Sequence, residues 1–267
     1  AFPSGRNRKE VCVMLRVIKS ELYKTRHRLY PYIFIGVIVA LGLAGVMLFA
    51  VTNHYLPPEE RVGFDGMVSI ALSMFPTGLF LTVAFVDMVF SEEYKNQTMK
   101  NTLAFGTSRA GFYLGKLLTE LITALVSLLV ILGVILGAGV LVLGPVYPVP
   151  FLELFSELSK RLLVTLPLWI GALSFGNMLA FHVKSSTLYT LGFVGFFGFL
   201  PVILQFAAHY YPSLGEVSLW LMIPLLEQIV RTELTGELVL RSVVTGAAYL
   251  AGSTLLGLLC YRRKDVA

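Results

Sequence analysis

The chain alternates long apolar stretches with shorter polar segments. Six stretches have about the 20 residues that a helix needs to cross a bilayer core roughly 30 Å thick. None alternates apolar and polar residues as a barrel strand does, so helices are expected to satisfy the backbone groups in lipid. The pattern predicts an all-α membrane protein, with one transmembrane domain over residues 14–267. The six predicted spans are residues 31–52, 67–90, 114–143, 162–182, 187–208 and 242–261.

A basic amphipathic segment precedes the first predicted span. Over residues 14–29, Leu15, Ile18 and Leu22 recur at helical spacing, and the basic residues fall mostly on other faces. This pattern favours a helix that lies in the cytoplasmic membrane interface, with an ordinary basic flank as the alternative. The basic residues of this predicted interfacial helix are Arg16, Lys19, Lys24, Arg26 and Arg28. Residues 1–13 are expected to be a non-native remnant or a disordered extension, with Met14 as the natural start.

Two shorter segments do not fit the pattern of spans. Residues 218–230 are apolar, but a helix of this length reaches only about 20 Å, and Pro224 and Glu227 interrupt it. A short re-entrant or interfacial segment between spans five and six is therefore expected, and a seventh span is the alternative. Residues 153–161, which precede the fourth span, are expected to form a separate surface helix.

Composition and charge favour a membrane protein with a defined orientation. Hydrophobic residues make up 56% of the chain and charged residues 14%, against about 25% charged residues in soluble domains. Most of the 21 Lys and Arg residues fall in segments that share one side of the membrane. By the positive-inside rule, both termini are expected on the cytoplasmic side of the membrane. The net charge of +5 is then explained by topology and anionic lipid, and no nucleic-acid partner is expected.

The sequence lacks the common signatures of an enzyme or a metal site. The pair Gly115-Lys116 follows Gly111 by too few residues for a phosphate-binding loop, and Leu117 stands where that loop has serine or threonine. The four histidines have no metal-ligand spacing, and two cysteines imply no disulfide framework. No catalytic residue, metal or bound cofactor is therefore expected in this chain.

Four polar residues in the spans are candidates for a translocation path. Asp87 and Glu120 lie near the inner ends of spans two and three, where the interface could wet them; otherwise they face a cavity or pair with a cation such as Lys116. Asn177 and Gln205 lie deeper, where interhelical hydrogen bonds are commoner than substrate contacts. No acidic residue lies deep in a span, which argues against a proton-coupled carrier.

A polar, positively charged loop between the second and third spans is the most informative segment. It is either a solvated turn or a surface that a soluble partner binds. It reads Glu92-Glu93-Tyr94-Lys95-Asn96-Gln97-Thr98-Met99-Lys100-Asn101-Thr102-Leu103, then Thr107-Ser108-Arg109 and Tyr113-Leu114-Gly115-Lys116. This pattern resembles the first cytoplasmic loop of ABC-2 type transporter permeases, in particular the bacitracin and lantibiotic export or immunity branch, although Gln97 stands where many relatives have glycine. The ending Tyr261-Arg262-Arg263-Lys264-Asp265 also resembles the last span and basic tail of that family.

The resemblance implies a membrane-spanning permease subunit of an ATP-binding-cassette exporter. The loop would form a short coupling helix on a separate ATP-binding subunit, which would hold ATP and Mg²⁺. The basic N-terminal helix would be a connecting helix, and the segment between spans five and six would form re-entrant external helices. A second permease copy or a related permease would complete the exporter. The implied coupling residues are Glu92, Glu93, Lys95, Asn96, Thr98, Lys100 and Arg109.

The sequence indicates the class of protein more specifically than the substrate or the transport mechanism. The apolar spans favour an amphipathic substrate, such as a peptide, an antibiotic or a lipid-like molecule, over a small ion. A secondary transporter or channel is the first alternative, and it would transport without an ATPase. A membrane enzyme or a non-transporting sensor is the second, and it would show turnover or ligand binding without flux.

Overall fold

The computed structural model describes residues 5–96, 108–144, 150–183 and 185–263, and the side chains of these ranges except residues 5–13, 91–96, 262 and 263. Every regular element in the described ranges is helical, which confirms the predicted all-α membrane fold. In chain order the helices are α1 (Gly5–Arg26), α2 (Leu29–Tyr55), α3 (Phe64–Ser73), α4 (Phe75–Asn96), α5 (Arg109–Val142), α6 (Phe151–His182), α7 (Ser186–Val194), α8 (Leu200–Ala208), α9 (Ser213–Ser218), α10 (Met222–Arg231) and α11 (Gly236–Arg263).

Most of the predicted spans are single long helices. Five helical segments in the described ranges are long and apolar enough to cross a membrane: α2, α5, α6, the joined α7 and α8, and α11. A π-helical turn, Gly195–Phe199, joins α7 to α8. The second predicted span is bent, because Pro58–Ser73 and Phe75–Phe90 meet at 57°. If this bent pair crosses as one span, the described chain has six.

Pro76 accounts for the bend between α3 and α4. Proline has no backbone N–H to donate, so a helix that continued through Pro76 would lose the hydrogen bond to the Leu72 carbonyl. Accordingly, α3 ends at Ser73 and α4 starts at Phe75. The Gly78 N–H still donates to the Met74 carbonyl at 2.9 Å. The chain therefore changes direction here, and the hydrogen bond from Gly78 to Met74 crosses the bend.

The fourth span is longer than predicted. Helix α6 runs without interruption from Phe151 to His182, so residues 153–161 are helical, as predicted, but continue directly into the fourth span. No glycine or proline lies between residue 153 and the start of the predicted span, so nothing stops the helix there. The charged first turns and the apolar later turns therefore belong to one rigid element.

Two short helices, α9 and α10, lie between the fifth and sixth predicted spans. On α10, Met222, Leu225 and Ile229 are buried, whereas Glu227 is exposed. The buried face packs against α3, α4, α6 and α11. Neither helix is long enough to cross a membrane, which agrees with the short segment predicted here. Its depth in the bilayer stays a prediction.

The helix pair α6–α11 forms the centre of the fold. Small residues let the two backbones approach closely: a Cβ added to Gly171 would lie 2.8 Å from the Gly246 carbonyl oxygen. The Ser174 hydroxyl lies 2.7 Å from that of Ser253, which links the pair by a hydrogen bond. An aromatic cluster packs beside it, formed by Phe175, Phe193, Phe196, Phe197 and Tyr249. This core holds the end of α4 and the start of α5, where the candidate site lies.

Candidate functional site

A buried lysine joins α1, α4 and α5 at one point. The Lys116 side chain has no exposed surface, and its Nζ lies 3.0 Å from Glu21 Oε2. The same Nζ donates to the Val89 carbonyl oxygen at 3.3 Å. It lies 4.7 Å from the centre of the Phe90 ring and 5.3 Å from that of Phe112, within cation–π range. One ammonium group thus contacts α1 by charge, α4 by its backbone, and aromatic rings of α4 and α5.

The face of α1 that packs on the protein carries the acidic partner. Val17, Glu21 and Thr25 are buried at four-residue intervals along α1, the spacing of one helix face. Gly115 lies opposite Val17, since a Cβ at Gly115 would lie 2.7 Å from Val17 Cγ1. The absence of a side chain at residue 115 lets α1 approach α5 closely enough for the Glu21–Lys116 pair to form.

Two lysines hold Glu21 in its charged form. Burial by itself raises the pKa of the Glu21 carboxyl, but the charges of Lys116 and Lys24 and their hydrogen bonds outweigh it, so the pKa lies below its ordinary value of 4.5. The second lysine is on α1 itself: Lys24 Nζ lies 2.6 Å from Glu21 Oε1. Glu21 is therefore an anion at neutral pH with one buried partner and one partly exposed partner.

Glu120 lies one helical turn beyond Lys116 on α5 and is also fully buried. Neither of its carboxyl oxygens accepts a hydrogen bond from a residue that the structure describes. The charges of Lys116 and Glu21 both act on it. Within the described chain Glu120 is buried near Lys116; wetting by the interface and pairing with a cation both stay predictions. Two buried carboxyl groups thus face one ammonium.

The other three path candidates lie in different environments. Asp87 is half-buried and accepts hydrogen bonds from Ser186 and, at 2.7 Å, from the Tyr189 hydroxyl, so it ties α4 to α7. Asn177 is buried in α6, and its amide lies beside the Tyr113 hydroxyl of α5. Gln205 is exposed on α8. The Asn177–Tyr113 contact joins α6 to α5, in line with the expected interhelical interaction, whereas Gln205 forms none within the described chain.

The basic residues of α1 divide between the surface and the bundle. Arg16, Lys19 and Arg26 are exposed. Arg28 follows α1, and its Nη1 donates to the Met88 carbonyl oxygen at 2.8 Å. Leu15 from the predicted apolar stripe is 56% exposed. The face of α1 away from the bundle thus combines basic and apolar groups, as an interfacial helix requires.

Most of the predicted coupling loop falls outside the described residues. Thr98 and Lys100 lie in its undescribed part, and Glu92, Glu93, Lys95 and Asn96 have a described backbone, in the last turns of α4, without described side chains. At the other end of the loop, the Ser108 hydroxyl accepts a hydrogen bond from the Gly111 N–H at 3.1 Å and caps α5. Arg109 Nη1 donates to the Tyr261 carbonyl oxygen at 3.1 Å, which fixes the start of α5 to α11.

A second charged anchor holds α10 at the opposite end of the bundle. Arg161 on α6 donates from Nη1 to the carbonyl oxygens of Val230 and Thr232, each at 3.0 Å, and to that of Ile229. Its Nε lies 2.6 Å from Glu157 Oε1. The last carbonyl groups of a helix have no partner within it. Arg161 supplies one for α10 and binds that helix to α6.

An apolar cavity of about 120 Å³ lies between α2, α4, α5 and α6. Phe34, Phe85 and Trp169 are among the residues that line it. Thr82 also lines it, but its hydroxyl donates to the Leu79 carbonyl of its own helix at 2.6 Å. The cavity therefore offers surface for hydrocarbon groups.

Sequence reasoning gave Lys116 as one possible partner for Glu120, but it missed the pairing of Lys116 with Glu21 and the contacts of Arg161. Glu21 had a usable signal, since it is the only acidic residue between Met14 and Arg28. A single acidic residue in an otherwise basic helix indicates a specific partner for its carboxylate. The sequence held no comparable signal for Arg161, whose backbone partners are 68 to 71 residues away.

The long apolar helices and the helical packing define a multi-pass membrane protein with several spans. A family model described as ABC-2 family transporter protein matches residues 17–202 of the 267. The chain belongs to this family and is a permease, the membrane component of a transporter. Permeases of the family generally work with an ATP-binding subunit and are usually not catalytic themselves. A search of curated proteins gives no match. The matched region contains Glu21, Lys116 and Glu120.

Proposed function

We propose that this permease is the membrane-spanning subunit of an ATP-driven exporter, powered by a separate ATP-binding subunit that docks on residues 91–109. The observation that carries this proposal is the position of Lys116. It contacts the last turns of α4 before the loop and the first turns of α5 after it, together with α1. A force applied to the loop would reach all three helices.

The mechanism is a rigid-body displacement of the helices that flank the loop. On α4, Val89 and Phe90 contact the Lys116 ammonium, and on α5 Phe112 and Lys116 itself complete the contact. These contacts around Lys116 are fully buried, so they transmit a displacement with little local rearrangement. Closure of the ATP-binding subunits would push the loop, and the flanking spans would move as a unit between two states.

In the loop, acidic and basic residues have different proposed partners. Glu92 and Glu93 would pair with cations of the ATP-binding subunit, while Lys95 and Lys100 would meet its acidic groups or lipid headgroups. Asn96 and Thr98 would add neutral hydrogen bonds. Arg109 holds the α5 end of the loop against α11 through the Tyr261 carbonyl, and this supports a role in positioning α5.

The exposed face of α1 supports an interfacial role on the cytoplasmic side. Arg16, Lys19 and Arg26 are exposed and would contact anionic headgroups, each contributing about 1 kcal/mol near the surface. Leu15 would enter the acyl boundary. With α1 and the coupling loop on one side, both termini are cytoplasmic, and the plasma membrane of a bacterium is the proposed location.

The proposed substrate is an amphipathic molecule: a peptide, an antibiotic or a lipid-like compound, as in the bacitracin and lantibiotic branch that the loop resembles. The apolar cavity between α2, α4, α5 and α6 supports a hydrocarbon-compatible interior. Asp87, Glu120, Asn177 and Gln205 are the polar candidates along the path. A second permease copy or a related permease would provide the other wall, which makes the exporter a dimer of permeases.

Purification from native membranes tests the proposal. The tagged chain is expected to bring an ATP-binding subunit with it, and Glu92→Lys is expected to lower substrate-stimulated ATP hydrolysis several-fold without reducing membrane insertion. Glu153→Lys is the matched control, since Glu153 is an exposed carboxylate in the first turn of α6. Transport by the chain alone in proteoliposomes, with no ATPase present, would favour a secondary transporter or channel and overturn the proposal.

A further inference from the structure

Among the residues that the structure describes, two buried carboxyl groups share the charge of Lys116. Glu21 and Glu120 are both buried, and Lys116 is the cation between them. In the structure its ammonium pairs with Glu21 at 3.0 Å, while Glu120 has no hydrogen-bond donor among the described residues. A buried carboxylate without a donor costs several kcal/mol. Glu120 thus occupies a position in which a donor would stabilise it.

Lys116 can reach that position without a change of helix. Residues four apart on a helix are neighbours on one face, so Lys116 and Glu120 are neighbours on α5. The Lys116 ammonium can therefore reach either Glu120 or Glu21 on α1. The move would take the ammonium from Glu21 and from the Val89 carbonyl oxygen. It would supply Glu120 with the charged hydrogen bond that it lacks.

Glu21 would keep a partner after such a move. Lys24 Nζ lies 2.6 Å from Glu21 Oε1, and the Lys24 side chain is 39% exposed. The Glu21–Lys24 pair lies entirely within α1, so it can leave the bundle together with that helix. The two carboxyl groups therefore differ: Glu21 has a second, partly exposed partner on its own helix, whereas Lys116 is the cation that acts on Glu120 within the described chain.

We propose that Lys116 alternates between Glu21 and Glu120, and that this exchange docks α1 on α5 and releases it during the transport cycle. Lys116 is then a positioning residue of the exporter, and the structure shows the docked state. In the released state α1 keeps its basic, apolar face on the membrane but loses its ion pair with α5. The link to the transport cycle rests on the proposed function, whereas the exchange itself concerns only this chain.

The exchange makes opposite predictions for two matched substitutions. Glu21→Gln weakens the docked state, so the amide hydrogens of α1 are expected to exchange about tenfold faster. Glu120→Gln removes the competing carboxylate and keeps its shape, so Lys116 stays on Glu21 and α1 amides are expected to exchange about threefold more slowly. The measurement is hydrogen exchange with mass spectrometry on the full chain in lipid nanodiscs. Glu237→Gln, an exposed carboxylate at the start of α11, is the control and leaves α1 unchanged.

A purely structural role for Glu120 gives a different outcome. Faster or unchanged α1 exchange in Glu120→Gln would overturn the proposal. Glu120→Met, which also removes the competing acid, serves if the glutamine variant does not fold, and slower α1 exchange is again expected. These comparisons need no nucleotide.

A second arm links the exchange to the transport cycle. In the purified complex, ATP with vanadate is expected to change α1 exchange in the wild type and to leave it unchanged in Glu120→Gln. An equal nucleotide response in both proteins would overturn the link between the exchange and the cycle. If no ATP-binding subunit associates with the chain, the proposed function fails, and the two nucleotide-free variants still decide whether Lys116 exchanges its partner.

Discussion

Lys116 Nζ and Glu21 Oε2 lie 3.0 Å apart, although 95 residues separate them in sequence. Their ion pair is buried and connects the helix before the first span to the third predicted span. A buried ion pair is weak evidence for net stability, but loss of one partner leaves the other charge uncompensated. This asymmetry makes the pair a good place to test how the cytoplasmic end of the bundle is assembled.

Removal of the buried cation is expected to destabilise the protein strongly. In Lys116→Met, Glu21 loses its buried partner and Glu120 loses the positive charge that acts on it within the described chain, so the free energy of unfolding should fall by about 3–5 kcal/mol. Thermal unfolding in detergent measures the change. Lys160→Met is the control, because Lys160 is exposed on α6, and it should shift the midpoint little. Equal midpoints for the two variants would contradict the role given to Lys116.

A glycine on α5 sets how closely α1 can approach. In Gly115→Ala, the new Cβ would lie 2.7 Å from Val17 Cγ1, so α1 is expected to move outward and its amides to exchange faster. Adding Val17→Ala creates space and should restore protection, which a double-mutant cycle detects as coupling. Gly133→Ala on the same helix is the control, since nothing lies within 4 Å of its added Cβ. Additive effects of the two substitutions would show that this contact does not limit docking.

The contribution of Glu21 is expected to depend on pH. Its pKa is lowered below 4.5 in the folded protein, so its stabilising effect is present above that pH and is lost as the pH falls through the folded-state pKa. The difference in unfolding midpoint between the wild type and Glu21→Gln should be constant from about pH 7 to about pH 5.5 and should shrink in stronger acid. Lys116, Lys24 and Glu120 face Glu21 and are common to both proteins. A difference that grows in acid would contradict this assignment.

The guanidinium of Arg161 is expected to hold α10 in place. Arg161→Ala leaves the carbonyl groups of Ile229, Val230 and Thr232 without this donor, so α10 should loosen by about 1–3 kcal/mol. Faster amide exchange in residues 222–232, with α1 unchanged, is the expected signature. Arg231→Ala is the matched control, because Arg231 is exposed at the end of α10. Unchanged amide exchange in α10 would show that its packed apolar face holds the helix in place without Arg161.

Local sequence patterns predicted the positions of the long helices better than the bends and junctions between helices. The apolar runs placed the long helices, because about 20 apolar residues are needed wherever a helix crosses lipid. The bend at Met74 was missed, although Pro76 lies inside the second predicted span. The junction between residue 161 and the fourth span was drawn at a change from charged to apolar residues, but such a change does not stop a helix.

The candidate site was only partly predictable. The loop motif indicated the family, and the match over residues 17–202 agrees with it. Lys116 and Glu120 stood out as charges beside a span. The buried face of α1 was not predicted, because the apolar stripe was assigned to Leu15, Ile18 and Leu22. The residues that are buried are Val17, Glu21 and Thr25. Glu21 is buried because its carboxylate meets a cation on another helix, and no local pattern contains that information.

By itself, the sequence determined the membrane class, the approximate spans, the amphipathic first helix and the transporter family, since each depends on composition or on residues close together in the chain. Only the tertiary structure decided which face of α1 is buried, that Lys116 pairs with Glu21, that Glu120 has no donor among the described residues, and that Arg161 binds the end of α10. These features join residues 68 to 95 positions apart. Their energies arise from burial and charge at helix contacts that form only when the chain has folded.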